Sequence, residues 1–165
     1  SITFGAPSKT FNIAGIVSSY AIVPNDSIRR KFCTWLKATE LNQSNIFVPI
    51  ATEAAYTQGE EWLKPLLSYI DGNIDFTDNF LKANTPQIKV MKPEASFLIW
   101  LECRELNLSH EALVELFVKK ARLALNDGEI FGPGGEGYMR LNIGTPRSIL
   151  EKALTQLKNA VESIF

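Results

Sequence analysis

One short loop decides how this chain is interpreted, the stretch Ala6-Pro7-Ser8-Lys9-Thr10-Phe11-Asn12-Ile13-Ala14-Gly15. Small and turn-forming residues surround a single lysine, Lys9, which has a hydroxyl side chain on each side. Apolar residues before the loop indicate the end of a strand, and residues 16–23 predict the next strand. By spacing alone, a loop lysine that faces water is the simplest interpretation. The alternative is a nucleophilic amine, which the two flanking hydroxyls would suit.

A second stretch far along the chain supports the alternative. It comprises Phe131-Gly132 and, after a short gap, Gly137-Tyr138-Met139-Arg140-Leu141-Asn142-Ile143-Gly144-Thr145-Pro146-Arg147-Ser148. The two stretches resemble the cofactor-lysine and substrate-carboxylate segments of fold-type I pyridoxal-phosphate (PLP) enzymes, in the same order and at a similar separation. The resemblance is closest to the branch of the class I/II aminotransferase family that holds cystathionine β-lyases and other carbon–sulfur lyases. It extends over nearly the whole chain.

The resemblance implies the fold class and the domains. The expected fold is α/β, namely the C-terminal part of a PLP-dependent transferase-like fold. Residues 1–58 would then be the remnant of the large PLP-binding domain, including its last strand. Residues 59–85 would form a long interdomain helix, and residues 86–165 would form the small α+β domain.

The resemblance also implies a role for each candidate site residue. Lys9 would bind PLP covalently and then remove the α-proton of the substrate; a neutral, nucleophilic amine there requires burial and a neighbouring positive charge. Ser8 would bind the cofactor phosphate, although it could instead only bond the local backbone. Arg140 would bind the substrate α-carboxylate with its planar guanidinium, although it could instead pair with a nearby acid.

Three further features are expected to be structural. Arg147 lies in the first turn of a predicted helix, where a cation is unfavourable without a partner, so a salt bridge is expected. The glycines at 132, 134 and 137 match the dinucleotide fingerprint literally, but a strand follows them where the fingerprint requires a helix, so a tight turn is predicted. His110, the only histidine, is expected at an exposed helix start without a catalytic role.

Two residues depart from the aminotransferase pattern. Val17 occupies the position of an expected phosphate-binding arginine, and Ala6 occupies the position of an expected glycine or serine. Both departures favour the lyase branch over a true aminotransferase. In the family, the acid that pairs with the pyridine nitrogen, the aromatic ring that stacks on the cofactor and the main phosphate loop lie upstream of the corresponding segment. The isolated chain is therefore not expected to catalyse at a useful rate, and an exposed strand edge and apolar surface are expected.

Composition narrows the class of protein. The 165 residues are 45% hydrophobic and carry a formal net charge of -1, which favours neither a nucleic-acid nor an anionic-membrane partner. Cys33 and Cys103 are far apart and lack metal-ligand spacing, so no metal site is predicted. Free, buried thiols in the cytoplasm are expected. No apolar run is long enough to span a bilayer.

The pattern of the first half predicts mostly helices. Asp26 or Ser27 is expected to cap the helix that follows the first strands. Pro49 suits the first turn of a short helix at 50–56. Residues 59–83 predict a long helix that Pro65 and Gly72 should kink or split.

The second half predicts strands at 88–91, 96–103, 129–131 and 138–143. Ser109 is expected to cap a helix over 110–126, and Thr145 to cap the last helix. The residues expected to face the core in these two helices are Leu113, Leu116, Phe117 and Ala121, then Leu150, Leu154, Leu157 and Val161.

Three functions are compatible with the chain. The main hypothesis is the C-terminal part of a PLP-dependent carbon–sulfur β-lyase, which acts on a small sulfur amino acid such as cystathionine and forms a homodimer. An aminotransferase on the same scaffold is the alternative within enzymes. An independent, non-catalytic binding or dimerisation domain is the alternative from another class.

Overall fold

A computed structural model describes residues 1–164. The chain divides into two compact units, Ser1–Leu66 and Leu67–Phe165. No helix of the described chain is long and apolar enough to cross a membrane.

The first unit begins with a small antiparallel sheet. Strand β1 (Thr3–Gly5) pairs with β2 (Tyr20–Ile22), and the chain between them makes turns and a 3₁₀ helix at Ala14–Ile16. The strand predicted over 16–23 is therefore shorter than expected. Val17 has φ 55°, and this left-handed conformation cannot belong to an extended strand.

Two helices complete most of the first unit, α1 (Asp26–Ala38) and α2 (Phe47–Gln58). The predicted cap of α1 is wrong by one or two residues, because the side chain of Asn25 accepts a hydrogen bond from the Ile28 N–H. An asparagine at this position satisfies one of the free donors at a helix start as well as an aspartate or serine does.

Helix α3 (Glu60–Asn84) belongs to the first unit up to Leu66 and to the second unit from Leu67. It is continuous, so the predicted split at Pro65 or Gly72 is wrong. A proline lacks one N–H donor, and the hydrogen bonds on either side hold the helix together. Gly72 leaves room for another side chain, since a Cβ there would lie 3.3 Å from an Arg147 guanidinium nitrogen.

The second unit contains an antiparallel sheet with the order β3-β4-β6-β5. Its strands are β3 (Lys89–Met91), β4 (Leu98–Glu102), β5 (Asn126–Asp127) and β6 (Tyr138–Asn142). Side chains alternate between the two faces of β4 and β6. One face is buried and is formed by Ile99, Leu101, Met139 and Leu141.

Helix α4 (His110–Glu115) continues as a π-helical turn, Leu116–Lys120. The helix predicted over 110–126 thus ends early, because Arg122 has φ 55° and the chain then enters β5. The segment Gly128–Phe131, predicted to contain a strand, is a 3₁₀ helix. Ser109 caps α4 as predicted, with its Oγ accepting from the Ala112 N–H.

The last helix, α5 (Arg147–Glu162), begins after Pro146 instead of Thr145, one residue later than the predicted cap. The predicted core faces of α4 and α5 are correct. The residues concerned are all at most 4% exposed: Leu113, Leu116, Phe117, Ala121, Leu150, Leu154, Leu157 and Val161.

Candidate functional site

Lys9 lies on a tight turn of the first unit. The Phe11 N–H donates to the Pro7 carbonyl at 2.9 Å, and the Ile13 N–H donates to the Ser8 carbonyl at 3.0 Å. Asn12 supports the turn with φ 53°, a conformation that asparagine adopts more readily than most residues. The local sequence thus holds Lys9 at the tip of a backbone-bonded loop.

The side chain of Lys9 is exposed, which differs from the burial that the sequence analysis expected. The first unit does not cover this loop. Within residues 1–164, Lys9 forms no hydrogen bond or ion pair with another residue. Its amine is therefore available to a ligand.

Ser8 has a backbone partner in its own unit. Its Oγ donates to the Ser18 carbonyl at 3.4 Å, a long hydrogen bond. The Ser18 hydroxyl, which is buried, bonds to Thr52 at 2.7 Å. The Ser8 hydroxyl thus bonds to the backbone of its own unit, which is the alternative role that the sequence analysis gave it. Phosphate binding by Ser8 stays a prediction.

Arg140 lies on β6 in the second unit, opposite Trp100 of β4 and Asn126 of β5. Its guanidinium donates to the Asn126 side-chain oxygen at 2.8 Å. The guanidinium carbon also lies 4.5 Å from the centroid of the Phe131 ring. The expected alternative, an arginine paired with an acid, is wrong for the described residues, since Arg140 contacts no carboxylate there.

The two partners of Arg140 orient it without neutralising it. An amide oxygen and an aromatic face each attract a cation, but neither carries a full negative charge. The remaining N–H groups of the guanidinium can therefore bind an anion. Asn126 and Phe131 were not singled out as partners from the sequence, because only the sheet register and the 3₁₀ helix bring them to Arg140.

Arg147 does not form the predicted salt bridge among the described residues. Its Nε donates to the Asn73 side-chain oxygen at 2.8 Å, and its guanidinium carbon lies 4.4 Å from the Phe76 ring centroid. Asn73 is fully buried and also donates to the carbonyls of Ile143 and Thr145, at 2.8 and 3.1 Å. Arg147 is therefore structural, but its partner is an amide.

His110 is tied to the chain that leads to Phe131. Its Nδ1 is 2.9 Å from a Glu129 carboxylate oxygen, and its Nε2 is 3.2 Å from an Asp127 carboxylate oxygen. These contacts connect the start of α4 to the segment that carries Asn126 and Phe131. No cluster of the described histidines, cysteines and acids has the arrangement of a metal site.

The glycine-rich segment after Phe131 is a turn, as predicted. Gly132, Gly134 and Gly137 have φ values of 102°, 90° and 77°, which other residues rarely adopt. Strand β6 follows it directly. The segment therefore lacks the helix that a dinucleotide fingerprint requires.

Beside this turn is a groove of ≈ 370 Å³, lined by Met91, Trp100, Phe131 and Tyr138 and by the backbone of residues 132–135. Trp100 makes edge-to-face contacts with Phe131 and Tyr138, with ring centroids 5.3 and 5.9 Å apart. Trp100 and Tyr138 lie on the same face of the sheet as Arg140, because residues two apart on β6 share a face. The sequence analysis did not identify this groove.

The candidate residues are divided between the units. Lys9 and Ser8 belong to the first unit, and Arg140 belongs to the second. The turn of Lys9 presents an amine and hydroxyls, and β6 presents a guanidinium with open N–H groups. These are groups that react with a carbonyl and bind a carboxylate, respectively.

Comparison with known proteins shows which enzymes the chain resembles. The chain is 43% identical over 161 residues to cystathionine beta-lyase PatB of Bacillus subtilis (strain 168). The aligned region covers 98% of the chain and 42% of PatB. Its backbone matches the PLP-bound structure of a Clostridium difficile 630 protein with a TM-score of 0.93, at 44% identity over 97% of the chain and 41% of that protein. Over nearly its whole length, the chain is therefore similar to the C-terminal part of PLP-dependent carbon–sulfur lyases and aminotransferases.

A third match agrees in fold. The PLP-bound C-S lyase of Staphylococcus hominis has a TM-score of 0.85 and 31% identity over 97% of the chain and 42% of that protein. The chain spans about two fifths of the length of these relatives and corresponds to their C-terminal part. The aspartate aminotransferase of Pyrococcus horikoshii is more distant, at 29% identity over 94% of the chain. No protein-family model matches the chain.

The expected fold is therefore confirmed: this is the PLP-dependent aminotransferase fold, with mixed helices and sheet. The roles of Lys9, Ser8 and Arg140 stay predictions, as do the proposed domain limits at 58/59 and 85/86.

Proposed function

We propose that the chain is the C-terminal part of a PLP-dependent carbon–sulfur β-lyase that acts on sulfur amino acids such as cystathionine. The observation that carries the proposal is the 43% identity to a cystathionine beta-lyase over 98% of the chain. The more distant aminotransferase and the departures at Ala6 and Val17 point in the same direction.

The residues of the Lys9 turn fit PLP. The turn offers an unpaired primary amine, which can condense with the cofactor aldehyde, and the hydroxyls of Ser8 and Thr10, which can donate to its phosphate. Residues 6–15 contain no acidic side chain that would repel that phosphate. Lys9 and Ser8 are the residues that we assign to the cofactor.

When bound, PLP supplies the electron sink that makes the substrate Cα–H bond acidic. Lys9 performs two tasks in this proposal. Its amine first holds the cofactor, and after the substrate amine has replaced it, the free Lys9 amine takes the proton from the substrate Cα. A lysine is suited to both tasks because one nitrogen serves as nucleophile and base.

Arg140 binds the α-carboxylate of the substrate. Two parallel N–H···O hydrogen bonds fix the plane of a carboxylate, and this fixes which bond to Cα is aligned for cleavage. The contacts to Asn126 and Phe131 hold the guanidinium in place and leave its charge available. The thiolate then leaves from Cβ, so that cystathionine and water give homocysteine, pyruvate and ammonia.

The alternative is an aminotransferase, which is supported by the aspartate aminotransferase among the relatives. The products separate the two reactions. A lyase forms pyruvate and ammonia from cystathionine without a keto-acid acceptor, whereas an aminotransferase requires that acceptor.

The proposal includes an assembly and a compartment. A homodimer is proposed for the complete enzyme. A cytoplasmic location is proposed because Cys33 and Cys103 are free thiols, which is typical of a reducing compartment. Cys33 is exposed, contrary to the expectation that both thiols are buried.

The test uses the protein encoded by the complete gene, with Lys9→Ala compared with Lys31→Ala, another exposed lysine of the first unit. Lys9→Ala is expected to lose the visible absorption of lysine-bound PLP and to lower turnover of cystathionine by at least about 100-fold. Lys31→Ala should retain both properties.

Normal turnover by Lys9→Ala would contradict the assignment. Borohydride reduction of the PLP-treated protein followed by peptide mapping addresses the non-catalytic alternative. Stoichiometric labelling at Lys9 is expected for the enzyme, and labelling scattered over several lysines is expected for a binding or dimerisation domain.

A further inference from the structure

We propose that His110 is a positioning residue for Arg140. In its protonated form, His110 bridges the carboxylates of Asp127 and Glu129 and thereby holds segment 126–131, which orients the Arg140 guanidinium. This inference rests on the proposed function, because it takes Arg140 as the carboxylate site. It adds a residue outside that site that makes its affinity for substrate depend on pH.

Segment 126–131 contacts Arg140 at both of its ends. Asn126, its first residue, lies opposite Arg140 in the sheet and accepts a hydrogen bond from the guanidinium at 2.8 Å. Phe131, its last residue, has its ring centroid 4.5 Å from the guanidinium carbon. A shift of this segment would therefore move both of the contacts that orient Arg140.

His110 holds the middle of the segment from the start of α4. Its Nδ1 lies 2.9 Å from a Glu129 carboxylate oxygen, and its Nε2 lies 3.2 Å from Asp127 Oδ2. The other oxygen of Asp127, Oδ1, accepts a hydrogen bond from the Glu129 N–H at 3.1 Å. Within residues 1–164, neither carboxylate pairs with a lysine or an arginine. One imidazole is thus the cation that both carboxylates share.

The number of these bonds depends on the proton of the imidazole. Both ring nitrogens donate only in the imidazolium, whereas the neutral ring donates from one nitrogen and turns a lone pair toward the other carboxylate. Histidine is the side chain whose charge ordinarily changes between about pH 5 and 8. The charged groups that face His110 are Asp127 and Glu129 from the segment and Glu111 from its own helix. All three are acidic, so loss of the proton weakens the attraction between α4 and the segment.

The experiment uses the PLP-loaded protein encoded by the complete gene and measures kcat/KM for cystathionine from pH 6 to pH 9. His110→Gln keeps a polar side chain that cannot gain a proton. The ratio of wild type to His110→Gln at each pH cancels the other titrations, because both proteins share them. Since the three side chains are 24–41% exposed, the ratio should be about two- to fivefold at pH 6 and should fall toward one at pH 9.

Three further variants test the route of the effect. His110→Arg keeps a charge at every pH and donates in two directions, so it should match wild type at pH 6 and exceed it at pH 9. Glu115→Gln removes a carboxylate of the same helix that pairs with Lys119, and it should keep the wild-type pH dependence. In an Asn126→Ala background, the effect of His110→Gln should shrink, because one of the two contacts through which it acts is gone.

A ratio for His110→Gln that is the same at pH 6 and pH 9 would indicate a merely structural role and would overturn the inference. An undiminished effect of His110→Gln in Asn126→Ala would overturn it as well, even if Lys9-dependent elimination stands.

A second readout needs no turnover. The NMR resonance of the Arg140 side-chain Nε–H, assigned with Arg140→Lys, should shift more between pH 6 and pH 9 in wild type than in His110→Gln. Equal shifts in the two proteins would overturn the inference. A larger shift in wild type without any Lys9-dependent turnover would support the positioning role of His110 and overturn the proposed function.

Discussion

The two units differ in where they place their apolar side chains. Across Ser1–Leu66, Val23 is the only hydrophobic residue less than 9% exposed, whereas Val17, Ile46, Phe47 and Ile50 are more than 60% exposed. The second unit has a continuous core between its sheet and helices α4 and α5, with Phe117 at 0% and Leu154 at 1% exposure. Only the second unit buries enough apolar area to be held together mainly by its own core.

Lys9 and Arg140 are therefore held in position by different kinds of structure. The Lys9 turn is held by backbone hydrogen bonds and by a few side-chain contacts, namely the bond from Ser8 Oγ to the Ser18 carbonyl and the edge-to-face pair of Phe11 and Tyr56. Arg140 lies on a sheet whose other face is packed. The two-stranded sheet of the first unit and its apolar surface match the exposed edge and surface that the sequence analysis expected.

The largest expected difference between the units is in thiol reactivity. Burial raises the pKa of Cys103 to about 12, and the charge of Glu102 adds to this, whereas Cys33 is exposed. At pH 8 the thiolate of Cys103 should be roughly a thousandfold rarer than that of an ordinary thiol. A chromogenic disulfide reagent should label Cys33 rapidly and Cys103 only on unfolding, and Cys33→Ser should abolish the rapid phase. Rapid labelling of both thiols would mean that the second unit opens readily.

Core truncation sharpens the comparison in stability. Phe117→Ala should destabilise the second unit by about 3–5 kcal/mol, because it leaves a cavity under α5. Phe47→Ala, at a side chain that is 62% exposed, should change stability by less than about 0.5 kcal/mol. Native-state hydrogen exchange, which reports the amides of each unit separately, measures both effects. Equal losses of stability in Phe117→Ala and Phe47→Ala would contradict the conclusion that only the second unit has a core of its own.

A smaller effect is expected from the buried amide of the second unit. Asn73→Ala removes the partner of the Arg147 Nε and of the Ile143 and Thr145 carbonyls, and unsatisfied groups of this kind cost about 2 kcal/mol. Asn42→Ala, at an exposed position of the first unit, is the control and should be neutral. Urea unfolding measures the two changes, and similar values for both would show that Asn73 is dispensable.

The smallest expected effect is on acid stability. The hydrogen bond from Lys82 lowers the pKa of the buried carboxyl of Asp78, and the bond from Lys92 adds to this effect. A folded-state pKa below the unfolded value stabilises the protein above about pH 4, and this contribution is lost as pH falls through the folded pKa. Asp78→Asn should therefore show a weaker decline in unfolding free energy between pH 5 and 2, by less than about 1 kcal/mol. If the unfolding free energy of Asp78→Asn fell as steeply as that of the wild type, Asp78 would not contribute to the acid sensitivity.

Much of the local structure could be predicted from periodicity. The buried stripes of α4 and α5 were recognisable because apolar residues recur every three or four positions, and each residue of those stripes is in the core. Errors occurred where a single backbone conformation interrupts a pattern, as at Val17 and Arg122 with φ of 55° each. An isolated left-handed residue leaves the hydrophobic pattern around it unchanged, so the pattern could not reveal it.

The amino-acid order alone determined the chemical groups of the candidate site, a lysine between hydroxyls and an arginine after a glycine-rich turn, together with the family resemblance that connects them. Tertiary structure decided the partners of these groups. Asn126 and Phe131 reach Arg140 through strand register and a 3₁₀ turn, and Asn73 reaches Arg147 across more than seventy residues of chain. Local propensities depend on neighbours in sequence, whereas such contacts depend on how distant elements pack, which no short pattern encodes.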